Sequence, residues 1–280
     1  MIKTGSESLD RRTLETIEFY DRTAETYDRA RFASEFGAYV NEVQLEVLFE
    51  LCNIHESKTL LDLGGGTGRF TVEFAKKCRN VINLDSSRSM LMIAKRKAMD
   101  EKVYQNIHLV VAEGHYLPLR KNSIDVCISI NVLLHIPDYL EVIREVTRVL
   151  NPTGCLAANF PNIHSIPVNF IVQVLSHGRY VQQPSRRPPR PPHLPPPRKS
   201  RPTRPMPGPY VRWFNIKEMC GGYTKASLKI SKIAGCLIFG SPPYPFHKKF
   251  LPIARRLNKL FIFLPIKYAS AFLFVKGVKP

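Results

Sequence analysis

Apolar positions along the first 160 residues follow two rhythms. Residues 10–34 read as a helix in which Tyr20 and Tyr27, seven apart in "YDRTAETYDRA", share one face. Phe36, Val40, Val43, Val47, Leu48 and Leu51 then recur at helical spacing, and this second helix should stop near Asn53. From there short apolar runs alternate with longer amphipathic ones. "KTLLDLG", "NVINLD", "IHLVVAE", "SIDVCISIN" and "GCLAANFP" read as strands. "RFTVEFAKKC", "SSRSMLMIAKRKAM" and "DYLEVIREVTRVL" read as the helices among them, and Asn-Pro-Thr-Gly at 151–154 reads as a turn. Strands that alternate with helices predict a parallel sheet covered on both faces, a doubly wound α/β fold whose ligands sit at the carboxyl ends of the strands.

The rhythm breaks at 182–209, "QQPSRRPPRPPHLPPPRKSRPTRPMPGP". Proline fixes φ and offers no N–H, so this segment is expected to be a disordered linker or a long surface loop. A short helix in "RWFNIKEMCGGY", a strand in "SLKISKI" and a last strand in "ASAFLFVKG" follow. Between them lies a stretch from Phe246 to Leu264. On a helix, Phe250, Ile253, Ala254, Leu257, Leu260, Phe261 and Leu264 would fall on one side and Lys248, Lys249, Arg255, Arg256 and Lys259 on the other. The expected organisation is a core at 10–161, a substrate lid at 162–181, the Pro/Arg segment at 182–209, and a C-terminal part at 210–280 that completes the sheet and carries the basic amphipathic helix.

Charge sharpens this division. The net charge is +18, yet residues 1–175 hold 20 Lys and Arg against 22 acids, while residues 176–280 hold 21 against one, Glu218. This suggests an anionic partner for the last third, whether nucleic acid, a membrane surface or an acidic substrate. The proline-arginine segment lacks interleaved aromatics for base stacking, which weakens the nucleic-acid reading. The six cysteines include no C-x-x-C pair, which argues against a zinc site and a disulfide framework, so no metal is expected. The N-terminal stretch has no apolar core of signal-peptide length and no run reaches membrane-spanning length, so the expected location is cytoplasmic, peripheral to a membrane at most.

"DLGGGTGRF", residues 62–70, carries the chemistry. A glycine loop after a strand commonly cradles phosphate. Here Gly64, Gly66 and Gly68 are spaced G-x-G-x-G, and Arg69 stands where a dinucleotide loop has its last glycine. Asp62 just before the loop would repel a pyrophosphate and hold an ammonium group. S-adenosylmethionine has an α-amino group, a sulfonium and no phosphate.

With these residues the chain resembles the class I S-adenosylmethionine-dependent methyltransferases, of the broad type that includes quinone-biosynthesis and small-molecule enzymes. The resemblance runs from about Tyr20 to Phe160 and resumes weakly from Arg212. It implies a Rossmann-like, mostly parallel sheet with an antiparallel last strand and S-adenosylmethionine as cofactor. "LLDLGGGTGRF" matches the family's first motif. "VINLDSSRSML" matches its second strand, where Asp85 would accept both ribose hydroxyls and Asn83 replaces a common glycine. "AEGHYLPLRKNSIDV" matches the third, with Glu113 for the adenine amino group and the Gly114 backbone near the ring. "SINVLLHI" matches the end of the fourth strand.

Other readings remain beside these roles. Asp62 could be a turn carboxylate, and Asp85, followed by two serines, a helix cap. His135 at the rim suits a general base, or a cap on the next helix; Asn131, one turn earlier, suits orientation of cofactor or substrate. Tyr20 and Tyr27 are substrate-side candidates or simply pack the first helix. Absence of an N-P-P-Y-type tetrapeptide at "NVLL" turns the expectation away from base amines, and Cys127, inside its strand, is expected in the core. The expected acceptor is a small molecule, lipophilic if the basic helix lies on a membrane; an RNA-directed enzyme is the alternative.

Overall fold

The structure, a computed structural model, describes residues 11–162, 209–236, 252, 256, 262–264, 268 and 270–280. The lid at 162–181 beyond Asn162, the Pro/Arg segment up to Gly208 and most of the basic stretch 246–264 lie outside the described residues.

Seven strands form one sheet in the order β3-β2-β1-β4-β5-β7-β6. They are β1 (Thr59–Leu63), β2 (Asn80–Asp85), β3 (Ile107–Val111), β4 (Ile124–Ser129), β5 (Leu150–Pro161), β6 (Lys229–Cys236) and β7 (Phe272–Val278). The first five run parallel, and β7 is antiparallel to both of its neighbours. Among the described residues the helices are α1 (Arg11–Phe32), α2 (Glu35–Cys52), α3 (Thr71–Ala75), α4 (Arg88–Asp100), α5 (Tyr139–Val149) and α6 (Ile216–Lys225).

Alternation along the strands distributes the core to two faces. In β1, Leu60 joins the cluster built with Val43, Val47 and Leu51 of α2, whereas Leu61 and Leu63 join the one built with Val142, Ile143 and Val146 of α5. A sheet covered on both sides needs apolar residues on both, hence the near-continuous hydrophobic runs. Cys127 is fully buried in this core.

Local chemistry fixes the boundaries. The Ser34 hydroxyl accepts from the Gly37 N–H to start α2, which ends at Asn53 in a left-handed conformation. The Ser87 hydroxyl accepts from the Met90 N–H to start α4. Two expectations are corrected. The helix after the glycine loop is only five residues long, because Arg69 and Phe70 still belong to the turn. The turn expected at Asn-Pro-Thr-Gly is absorbed into β5, whose pairing with β4 is irregular between Ile124 and Val126 and whose Thr153 takes a φ of 64°.

Strand order reverses at β1, with β2 on one side and β4 on the other. Loops leaving these strands diverge there and open a crevice.

Candidate active site

A cavity of about 140 Å³ lies at this reversal, walled by the ends of β1, β2 and β4, the segment after β3, and α1 laid across the top. Asp62, Gly64, Gly66, Asp85, Glu113, Gly114, Asn131, His135, Tyr20 and Tyr27 all line it. Gly68 does not. Its φ of 74° and the 2.9 Å from an added Cβ to the Ala94 Cβ make it the point where the loop packs on α4.

The loop backbone is tied into the sheet. The Gly64 N–H donates to the Leu84 carbonyl at 2.7 Å, and a Cβ on Gly64, at φ 68°, would lie 2.4 Å from Val132. Gly65, which sequence reasoning passed over, also lines the cavity; its missing Cβ leaves room for Asn83 Oδ1 and the Asp62 carboxyl, 2.5 and 2.8 Å from where that atom would be.

Asp62 is buried beneath the loop, and its carboxylate accepts the Thr71 hydroxyl at 2.6 Å. Burial pushes the carboxyl up to about 6. Asp85, at the end of β2, accepts the Gly66 N–H at 2.9 Å on one oxygen and the Ser87 N–H at 2.8 Å on the other; burial raises it too to about 6. It therefore clamps the loop to α4 through backbone contacts, while the cap on α4 is Ser87. Each carboxylate oxygen has a further lone pair for a ligand.

Glu113 Oε1 is buried and finds no partner, while Oε2 lies 3.5 Å from His115 Nδ1. Burying an acceptor unpaired costs about 1–3 kcal/mol, so this oxygen is set for a donor from outside. Asn131 is held left-handed at φ 59° by a reciprocal pair with Asn159: its N–H donates to Asn159 Oδ1 at 2.6 Å and its Oδ1 accepts from Asn159 Nδ2 at 3.0 Å. Asn159 is fully buried in β5, and nothing in the sequence singled it out.

The cavity wall also includes Thr13, Thr16 and Ile17 of α1 with Ile130, Val132 and Ile136. Here His135 Nδ1 lies 2.6 Å from the Tyr210 carbonyl oxygen and Nε2 lies 2.8 Å from the Tyr20 hydroxyl. A carbonyl only accepts, so Nδ1 carries the proton and Nε2 accepts the phenol O–H. Burial lowers His135 to about 4 and raises Tyr20 above the ordinary phenol range. His135 thus caps no helix. Its base nitrogen is already spoken for by Tyr20. Tyr27 packs edge-on against the Tyr20 ring, 5.9 Å between centroids.

Among the described residues the basic side chains on the cavity wall are all engaged: His115 faces Glu113, and the Arg69 guanidinium donates to Asn41 and Gln44 while lying over the Phe32 and Phe70 rings. No cluster of metal-ligating side chains occurs among the described residues, and no described helix is long and apolar enough to cross a membrane.

Strand order and the crevice at the reversal of the sheet define a Rossmann-like α/β fold. Residues 61–158 match the family described as a methyltransferase domain. Among curated proteins it is similar to a ubiquinone/menaquinone biosynthesis C-methyltransferase of Blochmanniella floridana, 29% identical over 56% of this chain and 61% of the relative. It is also similar to a ubiquinone biosynthesis O-methyltransferase of Hydrogenovibrio crunogenus, 31% identical over 44% and 51%. The chain spans only about half to three fifths of the length of these relatives. Its fold is shared with a SAM-dependent methyltransferase from Aquifex aeolicus (TM-score 0.56, 13% identity, 93% of this chain and 98% of that one). The same holds for a geranyl diphosphate C-methyltransferase from Streptomyces coelicolor solved with S-adenosyl-L-homocysteine (0.53, 14%, 85% and 76%).

Proposed function

We propose that the chain is an S-adenosylmethionine-dependent methyltransferase acting on a small, uncharged, lipophilic acceptor at oxygen or carbon. The observation that carries this reading is the partnerless buried oxygen of Glu113, in one cavity with Asp62 and Asp85. Three carboxylates would repel a dinucleotide's phosphates. They suit a ligand with an amino group, two ribose hydroxyls and positive charge. On this fit Asp85 holds the ribose, Glu113 the adenine amino group with the Gly114 backbone beside the ring, and Asp62 with the glycine loop the methionine ammonium. Gly68 keeps the loop's path, and Asn131 is fixed by Asn159 to form the wall beneath the reacting centre.

Bound there, S-adenosylmethionine supplies a methyl group activated by a sulfonium. The chain's task is then to align an acceptor and exclude water, which α1 and the aliphatic wall do. Engagement of every basic wall residue among the described ones favours an acceptor without charge. The two curated relatives are named for quinone biosynthesis, one as a C- and one as an O-methyltransferase, which supports a lipophilic ring acceptor. In this reading the protein works in the cytoplasm and reaches its acceptor at an anionic membrane surface through the basic stretch 246–264.

Calorimetry with S-adenosylhomocysteine tests the cofactor. Binding that Asp85→Ala weakens is expected, and tight NADH binding without a response to S-adenosylhomocysteine would overturn the reading. A labelled-methyl screen against quinone, phenol, lipid and RNA pools then identifies the acceptor, with transfer to RNA as the outcome against a small molecule.

A further inference from the structure

The geometry points to Tyr20 and His135 as a proton relay, Tyr20 touching the acceptor and His135 taking the proton, which makes the acceptor one with an ionisable ring hydroxyl. This rests on the methyltransferase reading of the cavity. Both side chains line the cavity, and Tyr20 lies near enough to Asp85 for that carboxylate to act on it. The chain Tyr20 Oη–H to His135 Nε2, then His135 Nδ1–H to the Tyr210 carbonyl, runs in one direction at 2.8 and 2.6 Å. It can pass one proton inward.

Three separate parts of the sequence build this line. Tyr20 is set by its edge-on contacts with Phe19 and Tyr27 on α1. His135 closes the turn of 3-10 helix after β4. Tyr210 is brought alongside by the Arg212 N–H, which donates to the Leu134 carbonyl at 2.8 Å. Such alignment across 190 residues exceeds what packing a tyrosine requires.

With its own proton committed to His135, Tyr20 presents oxygen lone pairs to the cavity. An acceptor hydroxyl that donates to Tyr20 can lose its proton as its oxygen bonds to the methyl carbon and the carbon–sulfur bond breaks, the electron pair staying on sulfur. The Tyr20 proton moves at the same time to Nε2. Positive charge leaves sulfur and reappears on the imidazolium, so the net charge of the closed cleft is unchanged. The imidazolium's Nδ1–H remains bonded to the Tyr210 carbonyl. Tyr27, Arg31 and Asp85 are the charged or titratable groups that act on Tyr20, and Arg31 also acts on His135; burial and Arg31 disfavour the imidazolium and return its proton to water when the cleft opens.

The test uses ring-substituted phenols whose acidities bracket the assay pH. Tyr20→Phe and His135→Asn should lose about 100-fold in kcat/KM on phenols that are protonated at that pH, the usual scale of general-base assistance. On phenols already ionised the loss should be under about threefold, because no proton remains to be moved. S-adenosylhomocysteine affinity should stay within about twofold in both variants. A second readout needs no turnover: 4-nitrophenol bound beside S-adenosylhomocysteine should titrate at higher pH in Tyr20→Phe than in the parent protein. Equal losses on all phenols, or no loss, would overturn the relay. So would a parent protein that binds S-adenosylhomocysteine yet methylates no phenol, while leaving the cofactor reading standing; absence of S-adenosylhomocysteine binding would remove both.

Discussion

The two ends of the cavity are made differently. Around the glycine loop, Asp62, Asp85 and Glu113 stand at or just past the ends of three adjacent parallel strands, and their spacing is set by sheet register: Leu63 pairs with Leu84, and Asp85 with Val111. Beside α1, at the proposed acceptor end, Tyr20, His135 and Tyr210 come from a helix, a single turn and an extended segment, joined through the His135 side chain. One end is a product of topology and the other of contacts. Topology is repeated wherever the fold is repeated, whereas contacts can be exchanged without disturbing the sheet.

Substitutions should separate the two ends. The largest effect is expected from Gly64→Val, which puts a branched side chain at φ 68° and 2.4 Å from Val132. Strain and overpacking together should cost about 2–4 kcal/mol of stability, read by chemical denaturation. Next, Asp85→Ala should weaken S-adenosylhomocysteine by about 1–3 kcal/mol in calorimetry, since charged hydrogen bonds are lost. If the ends are independent, Tyr20→Phe leaves that affinity alone.

A third prediction concerns pH. Asp62 and Asp85 have folded-state values raised to about 6 from 3.8, so the stability they contribute is fully present below pH ~4 and is lost as pH rises through about 6. A cationic ligand favours the ionised acids, so its affinity should move the other way and fall below pH ~6, about tenfold per unit for each acid that must ionise. Asp62→Asn should remove its share of both trends. The ligand-free domain should melt higher at pH 7 and bind cofactor more weakly. A melting temperature that falls instead would show Asp62 already stabilised without cofactor.

The smallest effect per residue should come from the sequence's basic stretch. Replacing Arg255, Arg256 and Lys259 by Gln should lower binding to anionic vesicles by up to ~1 kcal/mol per residue, an effect that fades with salt, without changing S-adenosylhomocysteine affinity. Unchanged vesicle binding would leave the acceptor end with no membrane function and favour a soluble acceptor.

The same contrast explains what was legible beforehand. Strand runs and the residues ending them follow a period that can be read directly, so β1–β5 and the placements of Asp62, Asp85 and Glu113 at the cavity were within reach. The motif gives Gly64, Gly66 and Gly68 one spacing as ligand-side glycines but says nothing of which faces α4, and that is Gly68. Asn159 escaped notice as one polar residue in a buried strand, and its pairing with Asn131 spans 28 positions. Tyr20 and His135 were both noticed, but no one-dimensional pattern tells that one holds the other. The expectation that His135 itself meets the acceptor therefore becomes a relay through Tyr20.

The helix laid over the cavity is fastened in a way that bears on how long a ligand stays. Of its 22 residues only Ala24 is fully buried. What ties it down is largely polar: Asp21 accepts from the Ser87 hydroxyl and the Ser89 N–H, Asp28 from the Thr67 hydroxyl with Lys97 beside it, and Glu25 meets Arg96. Partly exposed pairs of this kind contribute little each and are screened by salt. The helix amides should therefore exchange with solvent far sooner than those of β1 or β4, in an opening that leaves the sheet intact. Product departure would then be timed by unzipping one helix, and it should quicken as ionic strength rises.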